Sequence, residues 1–321
     1  MNSIYDVKSI NQMYKIFYNS YNKITSNVKY ELVNDKDIYK RFWKALNGSG
    51  SLDFKFATSY LKRCKYTYYF YNEKLNMYVF TIKTLNKKDV LFLSNLMKRI
   101  RIIQKLYGIN KIFNIYILMN PQKRYLPLKG LIDTKHINGG FTYILGNDIY
   151  IIRKEDCDKV LIHEVLHHNQ SINVDDWKYK NIQTLKHHFH IHNSCRLFPN
   201  EAVIETFACV INLIFYSLET GINYKILLKK EILHSLEIYK KIKDFQNTKL
   251  WQEKTNTFCY IILKSIFYVY FDKFIKIFRY TDQEYDDDNM TLFLIKYSKI
   301  LNYRTKSISY NDRFLKMTCF K

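Results

Sequence analysis

In this chain of 321 residues, the side chains best spaced for chemistry are His163, Glu164 and His167, in the run KVLIHEVLHHNQ. The pattern is HExxH. On an α-helix, positions i and i+4 share a face, so both imidazoles reach one ion. Glu164, beside the first histidine, is placed to take a proton from a water bound to that ion. Two helix-face histidines with nothing bound would have the same spacing, so the reading needs a further ligand. A catalytic zinc wants three protein ligands and one open position for water. The stretch Pro199-Asn200-Glu201-Ala202-Val203-Ile204-Glu205-Thr206-Phe207-Ala208 supplies two carboxylates at i and i+4, beginning 34 positions beyond His167. The apolar run Cys209–Leu218 that follows predicts a buried helix, and buried carboxylates need partners.

His163-Glu164-Val165-Leu166-His167 followed by Asn200-Glu201-Ala202 and Glu205 resembles the gluzincin metallopeptidases, the thermolysin-like branch of the zincins. The resemblance implies Zn2+ held by His163, His167 and Glu201, with Glu205 orienting a histidine ring. It also implies peptide-bond hydrolysis in a protein or peptide substrate, with Glu164 as general base. The second acid in that pattern is usually Asp, and here it is the longer Glu. An alternative register matches Glu205-Thr206-Phe207-Ala208 to the ligand helix of other gluzincins and makes Glu205 the third ligand. Residues 130–220, less than a third of the chain, also resemble uncharacterised metallopeptidase-like proteins of nucleocytoplasmic large DNA viruses.

Such a reaction needs a donor for the oxyanion formed at the scissile carbonyl. His190, His192, His234 and the 29 tyrosines are candidates, and the sequence does not choose among them. Four histidines (His187, His188, His190 and His192) fall within six residues. A tract of this kind binds a metal itself, supplies the third ligand in place of Glu201, or is a solvated loop.

These residues must be positioned by the elements around them. Tyr66–Tyr71 and Met77–Lys83 have the aromatic and β-branched content of a hairpin across Asn72-Glu73-Lys74. Lys87–Tyr107 has the periodicity of an amphipathic helix stopped by Gly108, and Ile112–Met119 reads as a buried strand. Two short strands follow, Gly139–Tyr143 and Asp148–Arg153. In the zincin plan an edge strand pairs with extended substrate, and Gly139, Gly140 and Phe141 are the candidates; an ordinary hairpin strand is the other reading. Acidic Glu155 and Asp156 suit the start of the HExxH helix, and His168 points about 100° away from His167. Residues 171–198 read as polar and irregular. Beyond Glu201 helices are expected over 200–219, 222–245, 249–279 and 289–302, with Asp286-Asp287-Asp288 in a solvated turn.

The expected fold is therefore α+β and zincin-like, a small mixed sheet and active-site helix above a mainly helical lower part. Residues 1–60 read as an N-terminal helical extension with helices over 7–19 and 37–46, ending in the loop at residues 47–51. Residues 61–172 read as the α/β upper part, and residues 173–321 as the helical lower part, with 61–321 one catalytic unit.

Composition sets the remaining bounds. A hydrophobic content of 47% supports a core and argues against disorder. The richness in Lys, Ile, Asn and Tyr suggests an AT-rich genome. A net charge of +22 favours anionic partners such as nucleic acid; the basic and tyrosine-rich run Arg63–Tyr71 has the composition of a stacking platform, but the genome bias explains it more simply. Six scattered cysteines without a CxxC, and an N-terminus without a signal-peptide core, point to reduced thiols in an intracellular setting, host cytoplasm or virion if viral, rather than secretion. The most apolar runs, Val203–Leu218 and Tyr260–Phe278, carry charges, and no membrane span is expected. The rival to a peptidase is a catalytically inactive zincin-fold protein with a viral structural or nucleic-acid-binding role.

Overall fold

The structure, a computed structural model, describes residues 4, 7–25, 28–48, 54–172, 177–246, 248–278, 286–302 and 313–320. Residues 49–51 of the expected first loop, and most of the basic tail, lie outside the described residues. In chain order the helices are α1 (Ile10–Lys23), α2 (Lys36–Asn47), α3 (Lys55–Leu61), α4 (Lys87–Leu106), α5 (Thr134–Ile137) and α6 (Cys157–Leu166). They continue with α7 (Tyr179–His188), α8 (Pro199–Thr220), α9 (Tyr224–Gln246), α10 (Lys264–Val269), α11 (Phe271–Ile277) and α12 (Asp287–Tyr297). The strands are β1 (Lys29–Val33), β2 (Tyr66–Asn72), β3 (Leu75–Thr81), β4 (Phe113–Leu118), β5 (Gly140–Thr142) and β6 (Asp148–Ile151). The chain divides into two compact units, residues 18–123 with 138–168, and residues 1–17 with 124–137 and 169–321.

The first unit is an open six-stranded mixed sheet in the order β1-β2-β3-β4-β6-β5, with α2, α3, α4 and α6. β2 and β3 form the expected hairpin, and the Asn72 side chain accepts the N–H groups of Lys74 and Leu75 at 3.0 and 3.1 Å, setting the turn. β3 and β4 run parallel, which demands a crossover, and α4 supplies it. A reciprocal Asn86–Asp89 capping box starts α4, and Gly108, at φ 63°, lets the chain leave it.

One row of aromatic residues crosses five strands: Tyr69, Tyr78, Tyr116, Tyr150 and Phe141 stand opposite one another in register. Their rings stack at 4.9–5.4 Å between centroids. α2 and α3 lay Phe42, Leu46, Phe54 and Leu61 on this face. The first sixty residues thus supply an edge strand and core aromatics beside the two expected helices. Sequence reading missed β1, whose residues are exposed or half-buried and carry little apolar alternation.

The second unit is helical, around α8. Pro199 fits the first turn, where its missing N–H costs nothing, and Gly221 at φ 73° ends the helix. By length and composition α8 could cross a membrane, and 83% of its most apolar window is buried inside the protein.

Three expectations here need correction. Residues 171–198 are not irregular throughout, because α7 forms there and buries Asn181 and Leu185. The span 249–279 is not one helix: the Trp251 backbone pairs with His190 and Ile191, a π-helical turn follows at Phe258–Leu263, and Tyr270 separates α10 from α11. The acidic triplet is not merely solvated: Asp286 caps α12, while Asp287, 1% exposed, accepts the Lys178 N–H at 2.6 Å and the Asn181 amide at 2.8 Å.

Two substitutions test these supports by equilibrium denaturation. A Cβ at Gly140 would meet the Tyr150 carbonyl at 2.8 Å, Val160 Cγ1 at 2.9 Å and Ile151 Cδ1 at 3.0 Å. Gly140→Ala is expected to destabilise by about 1–3 kcal/mol through overpacking. At Gly146 the nearest contact is 3.3 Å, and Gly146→Ala should cost less. Asp287→Ala, which strips the acceptor from two N–H donors, is expected to cost about 1–3 kcal/mol.

Candidate metal centre

α6 places its chemistry in an apolar setting. Val160, Leu161, Ile162, Val165 and Leu166 are all buried, and the same helix buries His163 at 5% and Glu164 at 6% exposure. Polar groups are costly in such a place unless something engages them. The helix is held from two sides. Arg99 of α4 pairs with Asp158 at 3.2 Å, and Gly140 on β5 permits close approach to Val160. Cys157, in the first turn, is buried, and burial pushes its thiol well above the usual range, so it packs rather than reacts.

One helical turn apart, as expected, His163 and His167 bring their Nε2 atoms to 3.2 Å, with the rings 74° apart. Two nitrogens each about 2.0–2.1 Å from a tetrahedral zinc lie about 3.3 Å apart, so the spacing fits a shared ion. The alternative is a direct N–H···N hydrogen bond, in which one ring carries its proton on Nε2. Glu201, near the start of α8, is a carboxylate of the helical unit. Two imidazoles and a carboxylate form a donor set that suits zinc. Glu205, one turn further along α8, is 2% exposed.

His168 does face away from this pair, into a structural clamp. Thr142 donates its hydroxyl proton to the Asp148 carbonyl at 2.9 Å, so at 2.9 Å from His168 Nε2 its oxygen accepts. Nδ1 is then the acceptor for Lys111 Nζ at 3.2 Å, and Lys111 also donates to the carbonyls of Ile144 and Gly146. Burial and the neighbouring Lys111 charge pull the imidazole down to about 4, so the neutral ring persists. The clamp ties β5 and the turn after it to the end of α6. Sequence reading missed Thr142, Lys111 and the Arg99–Asp158 pair, for no local motif announces contacts between residues so far apart.

β5 closes one end of the strand order, the edge position expected of it. Gly139 accepts the Ile152 N–H at 2.9 Å. Phe141 turns inward, stacked 4.9 Å from both Phe54 and Tyr150, so its ring belongs to the core.

The other histidines go elsewhere. His187 and His188 end α7, and His188 Nε2 lies 3.1 Å from the Ser298 hydroxyl. His190 takes a left-handed backbone at φ 54°. His192 is bonded at 2.7 Å to Ser194, and His234 donates from Nε2 to the Lys316 carbonyl at 2.8 Å. Among the described residues, the tract 187–192 does not gather into a metal-binding group. Comparison with known proteins finds no matching family model, no matching curated protein and no matching solved structure.

Proposed function

We propose that the chain is a zinc-dependent metallopeptidase that hydrolyses peptide bonds. The observation that carries this reading is the pair of imidazole nitrogens 3.2 Å apart, on buried His163 and half-buried His167, with Glu164 next to the first of them. On this reading His163, His167 and Glu201 hold the ion, and Glu205 steadies a ring from the same face of α8. Zinc bound there would acidify a water and polarise the scissile carbonyl. Glu164 takes the proton of the attacking water and delivers it to the leaving amine, and its setting at 6% exposure keeps bulk solvent from competing for that proton. β5, at the sheet edge, offers backbone N–H and C=O groups to an extended peptide. A buried general base beside two imidazoles favours catalysis over a purely structural ion, which needs no base.

Elemental mass spectrometry and zinc titration of the full chain test the site without a known substrate. One zinc per chain is expected, lost in His163→Ala, His167→Ala and Glu201→Ala and kept in Glu205→Ala; loss with Glu205→Ala alone would move the third ligand by one turn. Glu164→Gln should keep its zinc while cleavage of a fluorogenic peptide library falls by about 10²–10⁴-fold. Chelation should abolish cleavage, and zinc should restore it. A wild-type chain that takes up no zinc after reconstitution, yet binds DNA or RNA in a salt-sensitive way, would overturn the peptidase reading in favour of a non-catalytic nucleic-acid-binding role.

A further inference from the structure

A second concavity lies wholly within the helical unit and shares no residue with the candidate metal centre. Its volume of about 740 Å³ is that of a small-molecule site. The lining is aromatic: Phe258 meets Phe189 edge-on at 5.4 Å and Trp251 edge-on at 5.2 Å. The rim sets two lysines, Lys243 and Lys249, against one acid, Asp244, and adds donors from His188 and His190.

The backbone around it is irregular at two points. His190 sits at φ 54°, a conformation uncommon for a residue with a side chain. Its carbonyl accepts the Trp251 N–H at 2.8 Å, while the Trp251 carbonyl accepts the His192 N–H at 3.0 Å, so the strained turn fixes the indole in the wall. The π-helical turn Phe258–Leu263 begins at the same cavity, its first N–H held by both carboxylate oxygens of Glu253 at 3.1 and 3.2 Å. π-turns and strained non-glycine residues gather at binding sites, where the surroundings over-determine them. Here two such irregularities shape one cavity.

We propose that this cavity binds a mononucleotide, its base against Phe189, Trp251 and Phe258 and its phosphate at Lys243 and Lys249. Aromatic faces accept any planar base, and ammonium groups serve as point charges for phosphate. This also gives a role to the histidine-rich tract, which the metal centre does not use.

Isothermal titration of the chelator-treated full chain with AMP tests the proposal independently of zinc. Saturable binding at one site is expected, at least tenfold tighter than for adenosine or inorganic phosphate alone. The double substitution Lys243→Glu with Lys249→Glu, both exposed, should weaken AMP at least tenfold, as should Phe189→Ala. The same charge reversal at exposed Lys87 and Lys88 should leave binding unchanged, and thermal melts check folding of each variant. The proposal is overturned if AMP, GMP, CMP and UMP all fail to saturate the chain up to about 1 mM. Binding of equal strength in the Lys243/Lys249 double variant would also overturn it, since the anion would then sit elsewhere on the basic surface.

Discussion

Two imidazole nitrogens 3.2 Å apart on a largely buried helix are the constraint to which this fold answers. Their lone pairs repel unless a proton or a cation lies between them, and the low polarity of the surroundings makes that repulsion large. One turn apart on one helix, they keep that distance by helix geometry, and presenting them at one place requires a helix that neither slides nor rotates. α6 is therefore fixed along its length: at its start by the Arg99–Asp158 pair, at mid-helix by contact of Val160 with Gly140, and beyond its end by the His168 clamp. Each fixing point uses a different interaction, so no single surface change releases the helix.

The sheet gives those points something rigid to act through. The aromatic row from Tyr69 to Phe141 ties five strands across their hydrogen-bond direction, and Phe42 packs on its middle, 5.8 Å from Tyr116 and 5.6 Å from Tyr150. Tyrosine suits this place because its ring packs while its hydroxyl reaches a polar partner at the margin: Tyr150 bonds Asp148, Tyr69 bonds Asn76, and Tyr116 accepts from Arg41. Burial pushes the Tyr116 hydroxyl up to about 12, so the row remains neutral throughout the physiological range. The abundance of tyrosine, read at first as a mark of the genome, is here an ingredient of the sheet.

What was legible in the sequence is what depends on local pattern. The β2–β3 hairpin, α4 with its glycine stop, and the start and end of α8 follow from alternation, periodicity, Pro199 and Gly221, and their boundaries fall within a few residues of expectation. The i, i+4 histidines are local too, and so were found. β1 escaped because an exposed edge strand buries no alternating face, and α7 because its ten residues are mostly polar. The break at residues 249–257 depends on Trp251 pairing with a segment some sixty positions earlier, which no window along the chain reveals. Likewise Asp287 looked like one of three solvated acids, and only its partners in α7 set it apart.

Charge and burial point to different partners for this protein, and they need not compete. A net charge of +22 acts at long range, raises encounter with any polyanion, and weakens as salt screens it. It explains attraction without selecting a chemistry. Placing His163 and Glu164 at 5% and 6% exposure does the opposite: it carries a desolvation cost that surface electrostatics never repays. A helix that served only packing would be more stable with apolar residues at both positions, as α6 has at Leu161, Ile162 and Val165. On the function proposed above, a bound ion would offset that cost at His163.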